Sequence, residues 1–523
     1  MRLSRKIVLF IAVIIIAATY YILNTETTIL YVPLDNRPVN YDYVAELNNL
    51  TNFNLLIPPR EYLNSGELST DTEALWQWLL ENANKADAMV LSLDTLYFGG
   101  LVPSRAHHIP PEQLNQNQNR LETLLKRSKT PVYAFSTIMR SAVGNESAGH
   151  PPYFSEYGAK LGRLSTLADK EALGTATPQE KQDRARLEAE IPAPVLKDYL
   201  QRRLLNNDLI SKTLTMVNQD LITYYIIARD DSSEFSYSKL ELRSLEPQIN
   251  NQDRADTYPG ADQIGALLFA RAVHDINRHT PNIQIIYGTP KAQQVIPHYE
   301  DIPLGETISK HIQSLGGTHT EDNPDLALIV NMPATGTREA VTQTGTEPIT
   351  SLHRNLLQNI QNSLNTNQAT ALVDVAYTNG ADDALMRLLA ENNTLLPLAA
   401  YSGWNTAGNS IGTALAHGSL YSYYHKRRNF HQSAHLTALL TRISEDWLYQ
   451  TGIRSTILSE YDIKHGGSPV SEEALLPVTE DIQEKLNKYL EIHFPGFVNV
   501  TQVKLPWNRL FELTITFEFA RNP

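Results

Sequence analysis

Short apolar runs that stop at acidic or amide-rich clusters recur along this chain. Thr28–Leu34 runs into Asp35-Asn36-Arg37, Ala88–Leu93 into Asp94, and Thr223–Ala228 into Arg229-Asp230-Asp231. Ala371–Val373 meets Asp374, and Leu396–Ala400 leads to Ser402-Gly403-Trp404-Asn405. Runs of about four to eight residues rich in Val, Ile, Leu and Tyr predict strands buried on both faces, as in parallel sheets. Ligands bind beyond the carboxyl ends of such strands. The repeated pattern therefore predicts one carboxylate-lined mouth assembled from distant parts of the sequence.

Phe53–Ile57, Pro131–Ser136, Ile283–Tyr287 and Leu326–Asn331 predict further strands. Helical periodicity fills many of the gaps. Leu352, Leu356, Leu357, Ile360 and Leu364 share one helix face, as do Ile264, Leu267, Leu268, Val273 and Ile276. Ile308, Ile312 and Leu315 close another helix at Gly316-Gly317, a natural carboxyl-end cap. Strand–helix alternation predicts an α/β fold over residues 29–429, a (β/α)8-like barrel in preference to an open parallel sheet. A charged stretch from Pro178, the Pro192-Ala193-Pro194 break and Val195–Ile210 predict a helical insertion at about 155–219. From 430 to 523 the pattern changes. His431–Tyr449 is helical, and Phe511, Leu513, Ile515, Phe517 and Phe519 alternate with polar residues, predicting a strand with one wet face in a small α+β appendage.

Residues 1–28 form a separate segment. Arg2, Arg5 and Lys6 precede the uncharged stretch Ile7–Leu23, followed by a short polar linker. As a helix that stretch spans roughly 25 Å, at the short end for crossing a bilayer. Tyr20 and Tyr21 fall where an aromatic belt belongs. The apolar part is long for a cleaved signal peptide, so the expectation is an N-terminal transmembrane helix, a single-pass location in the cell membrane and an extracytoplasmic bulk. The chain has no Cys, which removes disulfides, thiolate metal sites, a cysteine nucleophile and lipoprotein acylation.

At 523 residues, 42% hydrophobic, the chain supports two or three structural units. A formal charge of -13 without a basic stripe argues against a nucleic-acid partner.

Asp230 and Asp231 are the leading catalytic candidates. Neighbouring carboxylates repel, so one takes up a proton and serves as an acid while the other stays ionised, the division of labour that glycoside hydrolysis needs. A paired Asp at a barrel strand end also resembles substrate-assisted N-acetylhexosaminidases, over two residues only. The plainer reading has them capping a Ser232-Ser233 turn. Asp35, Asn36 and Arg37 offer a polar cluster in which Arg37, kept extended by Pro38, can grip an anionic group, or an Asp35–Arg37 ion pair can fix a loop. Asp94, Tyr97 and Arg105 flank the flexible Gly99-Gly100, where an aromatic ring can stack on a sugar face or simply join the core. Trp404 and Asn405 offer a platform and a two-way hydrogen bond, with a core Trp over a turn as the alternative. Asp374 adds acid from another strand, whereas Asp382-Asp383 suits a helix start.

Metal signals are weak. His431 and His435 share a helix face without the Glu of a zinc motif, and His107-His108 and His150 fall in loops beyond strand ends. Asp35, Asp94, Asp231 and Asp374 can equally supply an oxygen set for a divalent ion. No metal ligand or cofactor is assigned.

The stretches LDNRPVN, SLDTLYFGGLVPSR, RDDSS, YSGWNTAGNSIG and the late LPWNRLF resemble a bacterial family, domain-of-unknown-function family 4127, from about Ile29 to the C-terminus. The resemblance implies a whole-chain family and carries over no catalytic residue. The residues themselves lead to the expectation of a membrane-anchored glycoside hydrolase acting on cell-surface or cell-wall glycans. A metal-dependent hydrolase (polysaccharide deacetylase or phosphoesterase) and a non-catalytic glycan-binding envelope protein are the alternatives.

Overall fold

A computed structural model describes residues 27–66, 71–141, 144–145, 149–230, 232–251, 253–428 and 430–520. The first sheet consists of β1 (Thr28–Val32), β2 (Asn54–Leu56), β3 (Ala88–Ser92), β4 (Val132–Ile138), β5 (Tyr224–Arg229) and β6 (Ala255–Pro259). It is six-stranded, in the order β2-β1-β3-β4-β5-β6, and every pair is parallel. Apart from the short edge strand β2, these strands are buried throughout, because helices cover both faces.

The second half supplies β7 (Asn282–Tyr287), β8 (Thr318–His319), β9 (Leu326–Asn331), β10 (Arg338–Glu339), β11 (Thr370–Asp374), β12 (Tyr377–Thr378) and β13 (Ala400–Ser402). Five of them form another parallel sheet, β13-β11-β9-β7-β8, while β10 pairs with β12 alone. The expected barrel is thus corrected to two open parallel sheets. They share one winding, in which the first strand lies between the second and third. Loops leaving the first and third strands diverge, opening a crevice at their carboxyl ends. In the first sheet that crevice falls between β1 and β3, beside Asp35 and Asp94.

Two helices, Ile264–Ile276 after β6 and Ala407–Tyr424 after β13, pack on each other in a core shared by both sheets. Ile29, Val90 and Phe135 reach that core from one sheet, and Ile283, Leu328 and Val373 from the other. Ala407–Tyr424 is buried on nearly every face, as a helix enclosed by protein must be. Gly265 permits one close approach: a Cβ there would stand 2.2 Å from the Tyr31 hydroxyl, which donates to the Asn40 carbonyl at 2.7 Å. The start of this helix is thereby seated against the end of β1.

Between β4 and β5 stand three helices, Phe154–Ala172, Pro178–Glu190 and Ala193–Asn218; the second opens with a reciprocal Thr177–Glu180 cap. After residue 430, helix Gln432–Arg442 continues into a π-helical stretch, Ile443–Ile453. Helix Glu472–His493 and the antiparallel pair β14 (Val498–Lys504) and β15 (Thr514–Phe519) follow. Leu439, Val478, Leu486 and Val500 from this region pack with Ile329 and Leu372, covering the outer face of the second sheet. The last strand is shorter than the alternation predicts: Glu512, expected on its wet face, precedes it and is buried.

The membrane expectation is corrected as well. Among the described residues no helix is long and apolar enough to cross a membrane. Ile7–Leu23, where the transmembrane helix and single-pass location were expected, lies outside the described residues.

Candidate functional site

The loop after β1 folds around Arg37. Asp35 accepts from the Arg37 backbone N–H at 3.0 Å, from Arg37 Nε at 2.9 Å and from Asn40 Nδ2 at 2.9 Å. The guanidinium also pairs with Asp262, from the loop after β6, and with Glu512 at 3.1 Å. Asn405 Nδ2, beyond β13, donates to Asp262 at 3.2 Å. Trp507 lies 5.4 Å from the guanidinium, and its Nε1 donates to Asn36 Oδ1 at 2.7 Å. Asp35, Asn36, Arg37 and Asn405 therefore meet, joined by Asp262, Glu512 and Trp507, which sequence reasoning missed.

Three buried carboxyls face one guanidinium here. Burial pushes Glu512 up to about 8; Arg37 opposes this, while Glu445, Asp262 and Asp35 add to it. The network continues through Arg442, which pairs with Glu445 and with Asp446 at 3.1 Å. Asp446 accepts from the Gly403 N–H at 2.8 Å, and Glu445 from the Leu513 N–H at 2.8 Å. These bonds clamp the β13-end loop and the C-terminal loop to the π-helical stretch.

A second group stands at the ends of β3, β4 and β5. Asp94 Oδ2 accepts from the Thr137 backbone N–H and hydroxyl, both at 2.7 Å. Arg105 pairs with Asp230. Burial pushes Asp94 up to about 7; the Thr137 bonds and Arg105 oppose this, and Asp230 adds to it. Gly100, at φ 135°, turns the chain where a Cβ would stand 3.0 Å from the Leu34 carbonyl oxygen. Thr95 fastens the same turn to β1 by donating to the Pro33 carbonyl at 2.7 Å. Asp231 lies outside the described residues, so the acids seen together are Asp94 and Asp230.

Tyr97 and Phe98, which closely follow Asp94 in the chain, help line a cleft of about 600 Å³ with Val102, His107, Gly149 and His150; Asp94 and Asp230 are not on its lining. Tyr97 turns its hydroxyl to Gln118 Oε1 at 2.6 Å. Arg105 runs behind the wall, its Nη1 4.0 Å from where a Cβ on Gly149 would stand.

A third group belongs to the second sheet. Asn331 Nδ2 bridges Asp374 Oδ1 at 2.8 Å and Asp382 Oδ2 at 3.2 Å, and His353 Nε2 lies 3.1 Å from Asp382. Burial and then Asp382 raise Asp374 to about 8, while His353 lowers Asp382. Asp382 also caps helix Asp383–Glu391 by accepting from Leu385 N–H. Trp404 is buried edge-on against Phe511, centroids 5.4 Å apart, rather than presented as a platform.

The acids expected at one mouth are thus held by three sets of partners. Arg37 engages Asp35, Thr137 holds Asp94 and Asn331 holds Asp374. Among the described residues no set of three or more His, Asp or Glu side chains could hold a metal ion. His435 is buried with Nδ1 3.1 Å from His417 Nε2, in the core rather than on an open metal-binding face.

Residues 29–516 match the family described as "Protein of unknown function (DUF4127)". The chain belongs to that family. The match takes in both sheets, all three acid groups and the loop that carries Trp507 and Glu512. No curated protein matches the chain, and no solved structure matches it.

Proposed function

We propose that this DUF4127 chain is a glycoside hydrolase whose working acids are Asp94 and Asp230. The observation that carries the reading is two carboxyls of unlike surroundings at the ends of β3 and β5, the strands that flank β4, with Asp230 close enough to raise the pKa of Asp94. Asp94 is buried against Thr137, while Asp230 faces the Arg105 guanidinium. Such a pair divides the labour of glycosidic cleavage. Thr137 occupies Oδ2 of Asp94, which leaves Oδ1 to carry the proton to the leaving oxygen. Asp230 supplies the negative charge that stabilises an oxocarbenium-like transition state, and water adds to the anomeric carbon as the glycosidic bond breaks. The cleft lined by Tyr97 and Phe98, which closely follow Asp94 in the chain, gives a sugar ring room and apolar walls.

The test is turnover of a broad glycan panel, read as new reducing ends, by the wild type, Asp94→Asn and Asp230→Asn. Each substitution is expected to lower kcat by about 10²–10⁴-fold on any glycan that the wild type cleaves. Aryl glycosides with good leaving groups should lose less with Asp94→Asn, since they need little protonation. Undiminished turnover by both variants removes the pair from the mechanism.

A further inference from the structure

We infer that the cleft walled by Phe98, His107 and His150 takes an uncharged sugar and discriminates against carboxylated or sulfated ones. This rests on reading the neighbouring acids as a glycosidase pair, and adds the chemical class of the occupant. Among the described residues that line the cleft, none is Asp, Glu, Lys or Arg. The lining joins Tyr97, Phe98, Val102 and several prolines to the neutral polar groups of Thr72, Gln113 and Asn117.

Of the three histidines on the lining, His108 has Nδ1 3.5 Å from the Asp198 carboxylate, and His107 and His150 are neutral by their bonding. His150 Nε2 receives Arg140 Nε at 3.1 Å and Arg140 Nη2 at 2.9 Å, so it acts as an acceptor and the ring proton sits on Nδ1. His107 Nδ1 accepts from the Ile109 N–H at 3.3 Å, and its Nε2 meets the Asn206 amide oxygen at 2.9 Å. A second proton on either ring would point at an N–H group already there. Burial, joined at His150 by Arg140, holds His107 down at about 4 and His150 at about 2.

Both imidazoles lie flat on aromatic rings, His107 on Phe98 at 4.7 Å and His150 on Phe154 at 4.3 Å. The walls thus offer fixed apolar faces, and His150 Nδ1–H adds a donor. The guanidiniums behind them are engaged: Arg105 pairs with Asp230, Arg202 with Asp198 at 2.7 Å, and Arg140 donates through Nε and Nη2 to His150. An anionic sugar would lose hydration here without meeting an available cation, whereas a hydroxyl finds amide and imidazole partners.

The test is binding to full-length Asp94→Asn, which retains a closely isosteric side chain, measured by calorimetry. Probes are tetrasaccharides of glucose, mannose and N-acetylglucosamine, set against tetragalacturonate and a heparin tetrasaccharide. At least one neutral probe should bind about tenfold or more tightly than either charged one. His150→Phe, which keeps the stack and removes the donor, should weaken that binding roughly fivefold. Val102→Trp, which fills the cleft, should abolish it. Equal or tighter binding of a charged probe, no binding of any neutral probe, or unchanged binding in both cleft variants overturns the inference. Neutral binding without turnover of any glycan by the wild type leaves the inference standing and sinks the hydrolase. Turnover of a charged glycan through Asp94 does the reverse.

Discussion

Arg37 and Glu512 lie 475 positions apart in the chain and 3.1 Å apart in the fold. Glu512 is the third carboxyl around one guanidinium, and its pKa rises from 4.5 to about 8. An acid raised in the folded state binds its proton more tightly there than in the unfolded chain. Its stabilisation is complete below about 4.5 and is lost as pH climbs through about 8. Glu46 and Asp446, each pushed by burial to about 7, act in the same direction. Thermal melts from pH 5 to 9 should show Tm falling toward the alkaline end. Glu512→Gln should flatten part of that fall and melt above the wild type at pH 8.5. A variant whose pH dependence parallels the wild type contradicts the assignment.

Removing the cation should cost more than removing an acid. Arg37→Met leaves Asp35, Asp262 and Glu512 facing one another without a counter-charge. Breaking a buried ion cluster from one side costs about 3–5 kcal/mol. Calorimetry should show a large drop in Tm, partly restored by adding Glu512→Gln. A drop no larger than that of a surface substitution would mean that water reaches the cluster.

Asp94 should impose its titration on the rate. An acid that works in its protonated form loses effect as pH rises through its pKa, here about 7. On any glycan that is cleaved, kcat/KM should fall above neutrality, and that limb should vanish in Asp94→Asn. The Asn oxygen can still accept from Thr137, so Tm should move little. An alkaline limb that persists in the variant belongs to another group.

The seat between Gly265 and Tyr31 predicts a rescue. Gly265→Ala places a methyl group 2.2 Å from the Tyr31 hydroxyl, an overlap expected to cost about 1–3 kcal/mol. Tyr31→Phe removes the obstructing oxygen, so the double variant should be more stable than the two single losses predict. Additive losses in chemical denaturation would show that the helix shifts instead.

Much of the fold is legible in runs such as Ala88–Leu93 and Pro131–Ser136, whose strands begin within a residue of their starts. The strand Ala255–Pro259 escaped because Asp256 and Thr257 break any apolar run, and Thr318–His319 because a short exposed edge leaves no pattern. The division into two sheets was also hidden. A strand buried on both faces carries no mark of which neighbour it joins. At the acid groups, Asp35 and Asp94 stood out by following such runs. Asp262 had no motif around it, and Glu512 sat within an alternation that continued past the true strand. Their partners are fixed by tertiary packing, which sequence spacing does not encode.

The tie between Arg37 and Glu512 also sets an order of events during synthesis. At ribosomal speeds, Glu512 follows Arg37 by roughly 25 to 95 s. Until then the nascent first half presents a guanidinium and its neighbouring acids without their last partner. The Arg37 cluster becomes complete only after Glu512 has been made, so this joint closes long after its first residues leave the ribosome.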